Sequence, residues 1–520
     1  MKLILILCVF TWLSHPAQTA IVDVRDYGAT SGKESNQQAA IQAAIDACAE
    51  NGGGTVYFPA GEYLSGTISL RDHITLYFEA GATLYASTKP EDYPQERRLL
   101  HADGVQNISI TGQGTIHGQA TADYGARWGA PETPAFRTGI LLFENCNNVV
   151  IRDINILYSD SWTVHLRRCE DVLIDGIRIF NNIRRLNSDG IDPNSCRNVR
   201  ISNCHIVAGD DCIVFKATEP YPCEDIVVTN CVLETTTTAL KLGTESRGDF
   251  RDIRVSNCII KNTRTGIGFF LKDGATMERV NFSSISIENF NASAGPYQDI
   301  YPIFMDIEKR HEDSSTGTIR DVTFRDIDIR SGSGILIQGM PESLIDNLTL
   351  QNITLRISWL DDYSKRKKAV GGRRTYRDER DTLFARKPAY VTIAHAQNVL
   401  LDNVRVYITE EVYDTEERSA FYGSNLSNLT IRALYGDSHE SIHRTPVIIL
   451  ENCSHGVVTD CVANRVSTTF LKLQGEGTRR ILVVGNELSR VDLLVKTDDQ
   501  VHSGEYKIIG NFELRSRFER

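Results

Sequence analysis

"NVRISNCHI" at residues 198–206, "DIVVTNCVL" at 225–233 and "DIRVSNCII" at 252–260 are one phrase written three times, with a constant step of 27 residues. A fixed period of this size is the mark of a repeat architecture. Within each copy β-branched apolar residues alternate with polar ones, the period of a half-buried strand, and Asn or Asp stands at the bends. A second cysteine series, Cys146, Cys169, Cys196 and Cys223, keeps pace with steps of 23, 27 and 27 residues. Its members precede strands such as "DVLIDGIRI" at 171–179. So short a unit cannot bury its apolar face alone, whereas stacking successive units as coils gives a continuous core and a shared hydrogen-bond ladder. The pattern runs on through "VNFSSISIENF", "VTFRDIDIRS", "NLTLQNITL" and "NVLLDNVRV" to "GVVTDCVANR", so it spans roughly residues 105 to 515. The expected fold is all-β, a parallel β-helix solenoid forming a single domain over residues 21–520.

Other segments frame the repeat. "NQQAAIQAAIDACAENGGG" at 36–54 carries apolar residues at helical spacing and ends in glycines. It predicts an N-terminal helix capping the first coil, which would otherwise expose open strand edges. Two stretches break the period: 292–317, expected as a loop containing "YQDIYPIF", and 357–389, a basic excursion. Residues 1–20 read as a signal peptide, with Lys2, the apolar run "LILILCVFTWL" and small residues at Ala17, Thr19 and Ala20. The protein is therefore expected to be secreted or periplasmic, with no membrane span. Of 12 cysteines one leaves with that signal, and the odd remainder is expected as packed thiols, some close enough to their neighbours to be bridged. Eight N-x-S/T sequons are read as ladder asparagines rather than glycan acceptors. A net charge of −11 from 56 basic and 67 acidic residues argues against nucleic acid as a partner.

The chemistry concentrates in "NSDGIDPNSC" at 187–196 and "AGDDCIVFK" at 208–216. Equivalence of the flanking strands places "DGID" and "DCIVF" on consecutive coils, so Asp189, Asp210 and Asp211 share a face. Clustered carboxylates repel one another, which raises at least one pKa and separates a proton donor from a base. Two readings follow: the acid and base of glycoside hydrolysis, or a calcium site built from Asp189, Asp192, Asp210 and Asp211.

"NSDGIDP" and "GDDCIVFK" resemble the two central motifs of the polygalacturonase family, glycoside hydrolase family 28. "GGGTVYFPAGEYLSGTISL", "GTIHGQ", "DSWTVHLRRCEDV" and "LGTES" resemble segments of its bacterial members, so the similarity covers roughly residues 21 to 350. The resemblance implies a right-handed parallel β-helix that hydrolyses α-linked galacturonate in pectic polysaccharide or oligosaccharide with inversion, without metal or other cofactor. It implies Asp210 as general acid, with Asp189 and Asp211 positioning and deprotonating the water. Inserted loops that could close the groove suggest action from a chain end.

The sequence departs from that pattern twice. Thr238 stands where the family has the histidine of a Gly-His-Gly, and Gly268 and Phe270 stand where it has an Arg-x-Lys pair gripping the sugar carboxylate. Lys241, Arg264 and Lys272 are the nearby cations that compensate in this reading, with Arg373, Arg374 and Arg377 of the basic excursion as further candidates. Alternatively Phe269 and Phe270 face a neutral sugar ring, with one of the two expected in the core. His165, Asn187, Lys216, Thr238 and Glu245 complete the candidate substrate contacts, with Trp162 beside His165. A carbohydrate-binding solenoid without catalysis and a calcium-dependent lyase are the remaining readings. Turnover and chelator sensitivity separate them.

Overall fold

The computed structural model describes residues 20–94, 97–125, 132, 134–289, 300–358, 388–409, 418–437, 445–465 and 467–512. The signal-like residues 1–19 and most of the basic excursion lie outside that set. Strand pairing is parallel along the whole stack, and each strand of the early coils pairs with the strand three places later, as Gly139–Glu144 does with Val164–Arg167. Pairing at that interval winds the chain around three sheets, and the result is a right-handed parallel β-helix.

Register explains the repeat. Val149 stands against Val172, then Val199, Ile226, Ile253 and Val280, each on the next coil, and the column continues to Leu429. These side chains are buried in one core that runs the length of the molecule. Each fully buried aliphatic of this kind contributes about 1.5–3 kcal/mol, which is how a 27-residue unit with no core of its own becomes stable in a stack. A one-residue slip would turn every such column toward solvent, so the alternation also fixes the pairing.

The corners are built by residues that tolerate left-handed backbone. Asn148, Asp171, Asn198, Asp225 and Asp252 occupy equivalent bends with φ between 54° and 58°. Asn and Asp enter this region most readily among residues with a side chain. Their side chains also bond from coil to coil: Asn203 Nδ2 donates to Asp175 Oδ1 at 2.7 Å, and Asn230 Nδ2 donates to Asn203 Oδ1 at 3.3 Å. Sequon asparagines 347, 352 and 428 spend their amides in the same way, on Asp321, Asp326 and Asn398.

The predicted cap is present as the helix Gln38–Glu50, which buries Ile41, Ala44, Ile45 and Cys48 along one stripe. It stops at Gly52 and Gly53, both at positive φ, and a Cβ at Gly53 would lie 2.4 Å from His73 Cβ. The 11 cysteines after the signal-like segment are all free and buried, so none of the neighbouring pairs is bridged. The expected loop at 292–317 is corrected in part: Tyr301–Ile307 is a strand pairing in register with Thr265–Leu271. Ile303, Met305 and Ile307 join the core, while Tyr301 and Phe304 pack with Phe270 and Leu336 in a second apolar cluster on the outer face of that sheet. Residues 290–299 and 359–387 are outside the described set, and with them Arg373, Arg374 and Arg377. Among the described residues no helix is long and apolar enough to cross a membrane.

Candidate active site

The acidic motifs occupy the turns that lead into two adjacent strands of one sheet, Ile191–Asn194 and Ile213–Ala217. Ile191 pairs with Ile213, and the Gly190 N–H donates to the Asp211 carbonyl at 2.9 Å, so Asp189 and Asp211 are stacked equivalents one coil apart. The glycines in these motifs are there for close approach. A Cβ at Gly190 would fall 2.4 Å from the Cys212 carbonyl, and one at Gly209 would fall 2.4 Å from the carbonyls of Asn182 and Arg185. Asp189, Asp192 and Asp211 are buried, whereas Asp210 retains partial exposure.

Two lysine ammonium groups meet the charge of this cluster. Lys241 Nζ lies 2.6 Å from Asp211 Oδ2, and Lys216 Nζ lies 3.3 Å from Glu245 Oε2 and 3.9 Å from both Asp189 Oδ2 and Asp192 Oδ1. The outcome differs for each acid. Burial alone would raise the Asp211 pKa, but Lys241, Lys216 and the Thr237 hydroxyl override it and hold it at about 2, so this group is ionised. Asp189 is pushed well above the usual carboxylate range by burial and by the neighbouring charges of Asp192 and Asp210. Burial likewise lifts Asp192 to about 7, with Lys216 opposing. One buried cluster thus sets an ionised carboxylate beside carboxyl groups whose pKa burial raises, the division of labour that acid–base chemistry needs.

Asp210 is held from two sides. The Asn187 backbone N–H donates to its Oδ2 at 3.0 Å, from a residue at φ 55°, and Thr237 Oγ1 lies 3.1 Å from its Oδ1. Arg137 in turn steadies Asn187, donating from Nη1 to Asn187 Oδ1 at 3.1 Å, and Arg137 and Arg185 both engage Asp160.

The other sequence candidates divide into groups. His165 is buried one coil before Asp192, in register with it, with its ring edge-on to Trp162 and its Nε2 3.3 Å from Asn194 Nδ2. Burial first, then Arg98 and Lys216, keep it neutral, so it accepts from Asn194 and presents an N–H at Nδ1. Lys216 also lies over the Trp162 ring, 4.5 Å from its centroid. Thr238 contributes its backbone N–H to Asp211 Oδ1 at 3.3 Å. The lysines expected to grip a substrate carboxylate are placed otherwise: Lys241 is the counter-ion of Asp211, and Lys272 forms a buried pair with Glu308 at 2.5 Å. Arg264 is buried one coil beyond Thr237, where its carbonyl accepts from the Tyr301 N–H. Phe269 is core, and Phe270 faces outward with Lys241 Nζ 5.4 Å from its ring centroid. The residues that sequence reasoning missed are Thr235, Thr236 and Thr237, which tie the 209–211 turn to the next coil. Their only signal was the run "TTTT" at 235–238.

Comparison with known proteins adds family evidence. The model for "Glycosyl hydrolases family 28" matches residues 48–370. A probable polygalacturonase of Vitis vinifera is 30% identical over 213 residues, 37% of this chain and 43% of that protein, so the matched region spans under half of that relative's length. Among solved structures, an exopolygalacturonase from Thermotoga maritima superposes with a TM-score of 0.57 at 21% identity, covering 65% of this chain and 87% of its own. A family 28 exopolygalacturonase of Yersinia enterocolitica gives 0.56 at 19% identity, covering 79% and 78%. At such identities these two show a shared fold.

Proposed function

The chain belongs to glycosyl hydrolases family 28, and on that premise we propose that it is an inverting glycoside hydrolase acting on pectic polysaccharide or oligosaccharide at α-linked galacturonate or a related sugar. The observation that carries this reading is the pairing of an ionised Asp211 with a partly exposed Asp210 one residue away. In the proposed step the Asp210 proton passes to the glycosidic oxygen as the bond to the anomeric carbon breaks. A water attacks that carbon from the opposite side and yields its proton to Asp211, with Asp189 sharing the water. Lys241 keeps Asp211 charged until that moment.

Exo action is part of the proposal. It is supported by the buried cluster of Phe270, Tyr301, Phe304 and Leu336 on the outer face of the sheet beyond Lys241, which would close a substrate groove on that side. Such a wall suits a chain end better than the middle of a polymer. An exported location, secreted or periplasmic, matches the size of a polymeric substrate.

The test is hydrolysis of a panel of pectic oligosaccharides with product analysis, comparing wild type with Asp210→Asn. Loss of the acid lowers kcat by about 100-fold or more. Wild-type turnover that survives undiminished in the variant removes Asp210 from the reaction, and binding without turnover by wild type reduces the protein to a carbohydrate-binding solenoid.

A further inference from the structure

The two ends of the solenoid are finished differently. The helix Gln38–Glu50 closes the first coil, whereas the last coil ends in the strands Val491–Thr497 and Tyr506–Ile509. Each pairs on one side, with Ser467–Gln474 and Arg479–Val484, and among the described residues no strand follows either. Register identifies their core-facing side chains: Leu493 stands on Thr469 and Ile508 stands on Val483. Thr469 and Val483 are buried, yet Leu493 is 46% exposed and Ile508 43%. The core is cut open at this end, beside strand edges that are templates for another strand.

The sequence of one edge says which strand fits it. "VDLLVKT" at 491–497 complements itself when reversed: turned about Leu494, Asp492 falls opposite Lys496, Lys496 opposite Asp492, and Leu493 opposite Val495. Unlike charges and apolar pairs placed directly opposite stabilise an antiparallel ladder. Within one molecule Lys496 stands in register on Lys472, a like charge that repels it. We propose that the C-terminal end of the solenoid is a docking surface for a second copy of this chain, with the two Val491–Thr497 strands paired antiparallel across a two-fold axis. Such a contact uses the same patch twice and closes, so assembly stops at the dimer. The pairing covers the open core of both copies and gives each Lys496 an acidic partner. It also joins the two catalytic sheets. Val491–Thr497 lies nine strand steps beyond Ile213–Ala217 in that sheet. An axis normal to the sheet sets both acidic clusters on one side of a continuous ribbon, roughly 90 Å apart at about 4.8 Å per step.

The test is sedimentation velocity with small-angle scattering on the full chain over a range of concentrations. We expect a wild-type dimer with a maximum dimension near twice that of the monomer. Asp492→Lys sets like charges opposite each other at both ends of the ladder and weakens the dimer about 10-fold or more, as does Lys496→Asp. Combining the two reversals restores it. Leu493→Asp abolishes the dimer while the thermal melt, followed by circular dichroism, keeps a cooperative transition, because that side chain is already exposed in the monomer. Single reversals that leave the dimer unchanged, or a double variant no tighter than either, overturn the pairing, and growth past the dimer overturns the two-fold axis. A wild type that stays monomeric overturns the inference, and slow hydrogen exchange at 491–497 in that monomer assigns the cover to the chain's own residues after Phe512. None of these residues belongs to the acidic cluster, so the hydrolase reading stands or falls separately.

Discussion

Two stacks of like side chains climb the same solenoid, and they solve the same geometry in opposite ways. At the corners, asparagines lie one coil apart and satisfy one another, because an amide is both donor and acceptor: Asn230 gives its N–H to the oxygen of Asn203. In the catalytic sheet Asp189 and Asp211 stand one coil apart at equivalent positions, and ionised carboxylates only accept. At the strand spacing of about 4.8 Å two such charges repel by roughly 3–4 kcal/mol at an effective dielectric constant of about 20. The corner stack can repeat without limit. The acidic stack stops after two coils, with Thr238 at the next equivalent position, and it persists only because Lys216 and Lys241 are brought in from other positions on the strands. A repeated slot is therefore stable by default when its occupant is self-complementary. When it is not, the slot needs counter-charges from neighbouring positions: Lys216 and Lys241 for the catalytic pair, and Arg279 for Asp252, which follows Asp225 at the corner.

The sharpest way to break this contrast is to remove a counter-ion. Lys241→Met leaves Asp211 buried without its partner, so burial governs and its pKa climbs from about 2. Hydrolysis should fall at least 100-fold at neutral pH, with the acid limb of the kcat/KM profile displaced upward by more than a pH unit. Stability should fall by about 3–5 kcal/mol, the usual consequence of breaking a buried pair. The sign follows from the depressed pKa. In wild type the pair's contribution is present above the unfolded carboxylate value near 4 and is lost as pH drops toward about 2. Denaturant melts at pH 7 and pH 3 should show the gap between variant and wild type narrowing in acid.

Asp192→Asn tests the stack from the other direction. Its pKa is raised to about 7, so burying it costs nothing below about pH 4, where both states are protonated, and progressively more as pH rises toward 7 and only the unfolded chain ionises. The variant should match wild type at pH 4 and exceed it by about 1–3 kcal/mol at pH 7, measured by the same melts. A variant less stable than wild type at pH 7 means that Lys216 depends on Asp192 more than Asp192 suffers from burial. The smallest effect belongs to the corners. Asn230→Ala removes one ladder bond and puts alanine at φ 57°, for a loss of about 1–2 kcal/mol that does not vary with pH.

How much of this was legible in the sequence follows from the same contrast. The recurring "SNC" phrase announced the coils, since strand alternation and left-handed corners depend on local residue types. The co-location of Asp189 and Asp211 was legible too, because their flanking strands carry the same pattern one coil apart. The partners were not. Lys241 comes from the following coil, and whether its ammonium turns to a substrate or back to Asp211 depends on side-chain conformation rather than spacing. Within "TTTT" at 235–238 all four residues are identical, so only backbone direction shows that Thr237, and not the aligned Thr238, offers its hydroxyl to the two acids. Arg137 reaches Asn187 across 50 residues, a distance no local pattern spans. The strand at 301–307 was hidden because both of its faces are buried, which erases the alternation that identifies a strand.

The unbroken column from Val149 to Leu429 has a meaning for descent as well as for stability. Where every turn presents nearly the same surface above and below, a gene can lose or duplicate a whole turn and simply exchange one junction for its twin. Length is then a cheap variable in such a lineage. That freedom ends between residues 189 and 238, because a turn spliced in there would part Asp210 and Asp211 from Asp189 on one side or from Thr237 and Lys241 on the other.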